Sequence, residues 1–277
     1  MTYKYYHNMI IREIEAKSIL SKTGIPIANY VINPYIGCIH SCIFCYARFM
    51  KRFTGHREEW GEFIDVKINA PDLIPKGGSK YKNKYIFLSS VTDPYLPLER
   101  KYKLTRQIIQ KLIPLEPVLG ILTKSDLILR DLDLIKQFEN AEIGFSFSTL
   151  DDDIRKEVEP SASPVEDRIK ALKEVHESGI KTYVFISPIL PFLTDWKDII
   201  NKTRDHTDYF RFENLNVTGT VWGCVKAFLE DKHPDLVHEY REIYFQDNPY
   251  WEIVEKEIIE FCNGEKLDCK IHFHHKG

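Results

Sequence analysis

Residues 142–190 read EIGFSFSTLDDDIRKEVEPSASPVEDRIKALKEVHESGIKTYVFISPIL, and their pattern decides the fold class. EIGFSFSTL at the start and KTYVFISPIL at the end are short apolar runs rich in strand-forming residues. Between them, PVEDRIKALKEVHESG carries helical spacing: Val165, Ile169, Leu172 and Val175 fall on one face. Ser163 is the expected N-cap, with Pro164 at the first helical position, Glu166 three residues after the cap and Gly179 at the end. Strand, helix and strand in this order are the mark of a βα unit on a parallel sheet.

The alternation extends both ways. Upstream, YIFLSS precedes LTRQIIQKLI and PVLGILT precedes LILRDLDLIKQF; downstream, WKDIINKTR precedes DYFRFENLNV. With ANYVIN as a further strand the count reaches about six, a full or partial (β/α) barrel. An open dinucleotide-binding sheet would need a G-x-G-x-x-G turn after a strand, which is absent. The organisation predicted is an N-terminal extension over 1–26, a barrel over 27–229, and a C-terminal extension or cap over 230–277 ending in CKIHFHHKG.

Of the 277 residues 43% are hydrophobic and 13% aromatic, enough to bury a core and unlike a disordered composition. The opening stretch carries charges within its apolar run and lacks a small-residue cleavage site, and no apolar run nears the roughly 18 residues of a membrane span. The expectation is a soluble cytoplasmic protein with no membrane partner. Six cysteines are too few for a disulfide framework in a chain of this length and read instead as metal ligands or catalysts. Residues 1–106 hold 17 Lys/Arg against 9 Asp/Glu, and residues 107–277 hold 21 against 32. The basic end is either a solvated face or a mark of an anionic partner.

NPYIGCIHSCIFCYARFM places Cys38, Cys42 and Cys45 within eight residues, directly after a strand. Thiolates so close suit an Fe–S cluster or zinc. A structural zinc usually draws four ligands from two separated pairs, whereas one trio stands alone here, and His40 lies inside it where the loop would have to reverse to aim it inward. Three ligands on a cubane leave one iron open.

This C-x3-C-x-aromatic-C pattern, with Phe44 as the aromatic, resembles that of the radical S-adenosylmethionine (SAM) superfamily. EPSASPVEDRIKALKEVHESGI, the TKS at Thr123 to Ser125 and the TDPY at Thr92 to Tyr95 resemble its spore photoproduct lyase-like branch, over about Val31 to Asn216. The resemblance implies a partial (β/α)6 barrel, a 4Fe-4S cluster on Cys38, Cys42 and Cys45, and SAM as cofactor. It places Thr92, Lys124 and Ser148 near SAM, Ser89, Ser90 and Asp93 where the superfamily binds the SAM amino group, and Arg168 toward the SAM carboxylate. Plainer roles exist for each: a solvated strand-end lysine for Lys124, a pair with Glu166 or Asp167 for Arg168, a turn-former for Asp93. Tyr35, Phe44, Tyr46 and Phe49 suit packing on adenine or simple core.

The chemistry implied is reductive cleavage of SAM to methionine and a 5′-deoxyadenosyl radical that takes hydrogen from a substrate, with ferredoxin or flavodoxin as electron donor. A nucleic acid or nucleotide is the substrate favoured by the lyase resemblance and the basic end. A peptide or small metabolite is the alternative within the superfamily, and a zinc-stabilised nucleic-acid-binding module is the alternative outside it. Cys224, Cys262 and Cys269 show no close pair and read as core; His272, His274 and His275 read as surface rather than metal ligands. In the lyases a cysteine beside the SAM site returns hydrogen to the substrate radical. That position falls at or next to Ser90 here, and residues 84–97 contain no cysteine. A strong alcohol O–H bond cannot take the place of the thiol, so SAM is expected to be consumed unless Cys224 folds back to donate.

Overall fold

The computed structural model describes residues 9–274. The early strands are β1 (Ile10–Ile14), β2 (Leu20–Lys22), β3 (Tyr30–Ile32), β4 (Tyr35–Ile36) and β5 (Phe63–Lys67). They are followed by β6 (Tyr85–Leu88), β7 (Val118–Thr123), β8 (Ala141–Phe147), β9 (Lys181–Ile189), β10 (Tyr209–Asn214) and β11 (Cys269–Ile271). β3 and β6 to β10 pair side by side in that order, every pair parallel, as the six-strand alternation requires. β2 adds antiparallel to β3 at one edge and β11 adds parallel to β10 at the other. These two edges do not pair with each other, so the α/β barrel is partial. A second sheet, β1-β5-β4, has no counterpart in the sequence reading, because strands as short and exposed as IIREI show no burial pattern.

Helices α1 (Glu99–Tyr102) and α2 (Leu104–Leu112) follow β6, α3 (Leu132–Ile135) follows β7, and α4 (Asp152–Val158) and α5 (Val165–Glu177) follow β8. Then come α6 (Trp196–Thr203), α7 (Val221–Lys232), α8 (Leu236–Phe245) and α9 (Tyr250–Glu265). α5 buries Val165, Leu172 and Val175 as its spacing predicts. Its cap differs: the helix begins at Val165 with no side-chain cap, because Ser163 Oγ donates instead to Asp126 Oδ1 at 2.6 Å and accepts from the Asp126 amide. The long helical reading of 127–138 also breaks. Ser125 Oγ accepts from the Leu127 amide and starts a 3-10 stretch, Asp126–Asp131, leaving α3 a single turn. α4 went unread; Asp151 caps it by accepting from the amides of Asp153 and Ile154.

Alternation along the strands stacks the barrel interior in layers. Toward the N-terminal ends Tyr85 and Tyr209 donate to the Glu142 carboxylate beside Tyr183. Glycine at 144 on β8 leaves room for the Tyr183 ring, since a Cβ there would lie 2.1 Å from it unless the ring moved. Above them come Phe87, Leu122 and Phe185, and at the C-terminal ends a polar layer of Ser89, Lys124, Ser146, Ser187 and Glu213. Residues 230–274 contribute α8, α9 and β11, and a disulfide joins Cys262 at the end of α9 to Cys269 on β11. Both pack in or against the core as read, but as a bonded pair, which corrects the reading that they form no close pair. No helix among the described residues is long and apolar enough to cross a membrane.

Candidate active site

The cysteine loop leaves β4 through Gly37, whose φ of +93° and whose missing Cβ, which would stand 2.4 Å from the Phe63 carbonyl, exclude other residues. Three elements hold the loop. Thr92 Oγ1 donates to the Gly37 carbonyl at 2.7 Å, Ile43 N donates to Val158 O at 3.0 Å, and His40 Nδ1 lies 2.9 Å from the Ser161 carbonyl. His40 Nε2 faces Asp93 Oδ2 at 3.2 Å, so each ring nitrogen has an oxygen of another segment beside it. Within the loop Ser41 N donates to Cys38 O and Cys45 N to Cys42 O, each at 3.2 Å.

Cys38, Cys42 and Cys45 face a cavity of about 820 Å³ at the C-terminal ends of the strands. Phe44, Ser89, Ser90, Thr92, Asp93 and Lys124 line it as well. Ser148 and Arg168 do not. Both are fully buried behind the wall, where they act on Glu159: Ser148 Oγ donates to Oε1 at 2.9 Å and Arg168 NH1 to Oε2 at 3.0 Å. The resemblance set Ser148 near SAM and Arg168 toward its carboxylate; in the structure neither lines the cavity, and Arg168 pairs with Glu159 rather than with Glu166 or Asp167. Burial of an arginine demands a carboxylate, and Glu159 at the end of α4 is the one within reach.

Glu159 also accepts from Lys124 Nζ at 2.8 Å, and Lys124 Nζ donates further to Ser146 Oγ at 2.7 Å, 5.5 Å from the Phe44 ring centre. Burial alone would raise the Glu159 pKa; Lys124, Arg168 and the Ser148 hydroxyl outweigh it and hold the carboxyl at about 2. The ionised Glu159 fixes the lysine charge at the cavity wall. Asp93 is a hub of the same kind. Its Oδ1 accepts from Thr123 Oγ1 and the Tyr95 amide, and its Oδ2 from the Lys124 amide. Burial opposes ionisation, but His40 and these donors keep its pKa below the usual range. Ser90 is held through Asn33, and Ser89 Oγ is buried with no partner among the described residues.

The residues fit the implied cofactors. Burial first, then the neighbouring Cys45 and Asp93, push the Cys38 thiol up to about 12; burial likewise raises Cys42 and Cys45. Three thiols so crowded ionise together only against a bound cation, which thiolate ligation to iron provides. Among the described residues no three His, Cys, Asp or Glu side chains converge on one point as a single zinc ion would need, whereas a cubane is held at three separate irons. The orphaned Ser89 hydroxyl offers a partner to an amino group. A smaller cavity, about 480 Å³ at the opposite end of β7 to β9, contains neither cysteine nor histidine.

The family profile of the Radical SAM superfamily matches residues 32–202, which include the cysteine loop and four of the six barrel strands after it begins. The chain belongs to the radical SAM superfamily. This radical SAM protein is 44% identical over 225 residues to an uncharacterized protein of Methanocaldococcus jannaschii, covering 81% of this chain and 84% of that one. It is 28% identical over 168 residues to the radical SAM Nalpha-GlyT isomerase of Pseudomonas phage M6, spanning 60% of this chain and 34% of the phage protein. Its fold is similar to that of spore photoproduct lyase complexed with dinucleoside spore photoproduct, with a TM-score of 0.69 at 15% identity, over 95% of this chain and 82% of the lyase.

The far wall of the cavity was not foreseen from the radical SAM motifs. Glu213 on β10 accepts from Ser187 Oγ at 2.6 Å and meets His274 Nε2 at 3.1 Å, which raises the His274 pKa. Arg211 stands beside it, 3.1 Å from His272 Nε2. The two histidines thus pair across to β10, and His275 lies outside the described residues. Alternation along FRFEN was the signal that put Arg211 and Glu213 on the inner face. Cys224 is half-buried on α7 and does not line the cavity, which corrects its reading as core.

Proposed function

We propose that this protein is a cytoplasmic radical SAM enzyme whose Cys38, Cys42 and Cys45 hold a 4Fe-4S cluster and whose cavity binds SAM and a nucleic acid or nucleotide substrate. The observation that carries the reading is the convergence of three thiols, those of Cys38 and Cys42 buried and that of Cys45 half-buried, with the Ser89 hydroxyl, unpartnered among the described residues, and the Lys124 ammonium on one cavity at the C-terminal strand ends. Bound there, the reduced cluster and SAM supply a 5′-deoxyadenosyl radical, the species that takes hydrogen from a substrate carbon. The chain's own residues do the positioning. Lys124, set by Glu159 and Ser146, presents a positive charge to the SAM carboxylate; Ser89, Ser90 and Thr92 face its polar groups; Phe44 and Phe87 wall the site against water. Glu213, Arg211 and Asn214 offer acceptors and donors to the substrate on the opposite wall.

The fold shared with a lyase that binds a dinucleoside supports the substrate class. Ferredoxin or flavodoxin is the electron donor by class. No cysteine other than the three loop thiols lines the cavity among the described residues, so we expect one SAM consumed per turnover rather than regeneration.

The test is anaerobic reconstitution with SAM and dithionite, followed through deuterium in 5′-deoxyadenosine released from labelled nucleotide and oligonucleotide substrates. Cys42→Ala is expected to lose both cluster and SAM cleavage. A Cys42→Ala protein that released 5′-deoxyadenosine at the parent rate would refute the cluster assignment. Deuterium arriving only from peptide or metabolite donors would refute the substrate class.

A further inference from the structure

The segment after the last cluster cysteine, YARFMKRF, is a 3-10 helix, Tyr46–Phe53, whose outer face is unlike the rest of the surface. Tyr46, Phe49 and Phe53 are 59%, 43% and 63% exposed. The other exposed phenylalanines, Phe192 and Phe245, each rest against an aromatic ring, Tyr250 and Trp222 respectively. On the 3-10 helix the rings instead form a ladder running outward: Tyr46 and Phe49 lie 6.5 Å apart, and the Arg52 guanidinium lies 5.3 Å from the Phe49 centre and 4.7 Å from that of Phe53. The inner end of the ladder is in the site, since Tyr46, Arg48 and Phe49 line the cavity. Its outer end, Arg52 and Phe53, stands beyond the rim.

We infer that this aromatic and guanidinium ladder binds an unpaired stretch of nucleic acid flanking the nucleotide that enters the cavity, so that the substrate is a polymer rather than a free nucleotide; the inference rests on the proposed nucleotide chemistry of that cavity. Exposed aromatics gathered at one mouth mark a binding surface, because a solvated monomer gains nothing from them. Charge selects the partner. Arg52 and Arg57 have no carboxylate partner among the described residues, while the nearby acids are engaged, Glu59 by Lys51 at 3.1 Å and Glu58 by His56 at 3.0 Å. The ladder therefore faces outward as flat rings with net positive charge. Bases stack on such rings whatever their identity, and phosphates meet the guanidiniums. A base taken out of its stack for chemistry leaves its neighbours unstacked, and the rings replace what they lose.

The test uses the cluster-reconstituted protein under argon and fluorescence anisotropy of a dye-labelled oligothymidylate about a dozen nucleotides long, with a duplex of the same length for comparison. The expected result is binding that prefers the single strand, weakens steeply between roughly 50 and 200 mM salt, and falls about tenfold or more in Phe53→Ala and in Arg52→Glu. Both side chains are exposed, and thermal melting of each variant checks its folding. Unaltered binding in both folded variants would overturn the inference. So would a wild-type protein that ignores the oligonucleotide yet takes deuterium from a free nucleotide, an outcome that leaves the proposed function standing. A wild type that ignores the oligonucleotide but dimerises through Phe53 would overturn it in favour of self-association.

Discussion

Glu159 shows how one residue sets the working charge of another. Its carboxylate is shared among Lys124, Ser148 and Arg168, so only one of the three, Lys124, is left to reach the cavity. Glu159→Gln keeps the shape but strips two cations of their counter-charge, and breaking a buried pair in this way costs about 3–5 kcal/mol. We expect a lower melting temperature together with weaker SAM binding, read by titration of the cluster's spectrum. The same residue gives an acid signature. Its folded pKa, about 2, lies below its ordinary value of 4.5, so its stabilisation is complete above that value and is lost as pH falls toward 2. Melting temperature measured from pH 6 downward should decline more steeply in the parent than in Glu159→Gln; parallel curves would remove Glu159 from the account. At this scale the cysteine trio and Lys124 were legible, because spacing and strand-end position are local. Glu159 stood in plain view in EPSASP, but nothing local distinguishes a capping acid from one buried against an arginine on the next helix.

The strands are short, so single positions decide their packing. Gly144 on β8 lets the Tyr183 ring cross the strand, and Tyr183 with Tyr209 and Glu142 fills the end of the barrel opposite the site. Gly144→Ala should overpack this end and lower stability by about 1–3 kcal/mol, measured by thermal or urea denaturation. Cluster content should stay at the parent level, since the cysteine loop lies at the other end of the strands. Full stability in Gly144→Ala would show that Tyr183 has room to move. The elements themselves were read well where they are long and periodic, as in α5 and β9. They were read poorly at 126–135, where Ser125 and the distant Ser163 turn the chain into a 3-10 stretch that periodicity alone would continue as helix, and α4 was not read at all.

For the molecule as a whole, the open barrel places one wall of the cavity on the cysteine loop and β6 to β8 and the other on β9, β10 and the segment after β11. A ligand touching both walls ties them together, and binding to the folded state alone raises stability by mass action. SAM at a hundredfold excess over its Kd should stabilise the cluster-loaded protein by about 2.7 kcal/mol. Differential scanning calorimetry under argon should show the rise with the parent and none with Cys42→Ala; an equal rise in both would mean that SAM binds elsewhere. The disulfide between α9 and β11 secures the wall that carries His272 and His274, and neither histidine could be assigned a partner before β11 was seen to lie against β10.

The sequence by itself determined the family, the six parallel strands and the cysteine loop, because hydrophobic period and cysteine spacing are properties of neighbours along the chain. Tertiary structure alone decided that Ser148 and Arg168 stand behind the wall and Glu213 in front of it, and that His272 and His274 meet Arg211 and Glu213 on β10. Those facts depend on which residues meet across elements far apart in sequence, and the alternation of strand faces narrows that choice without making it.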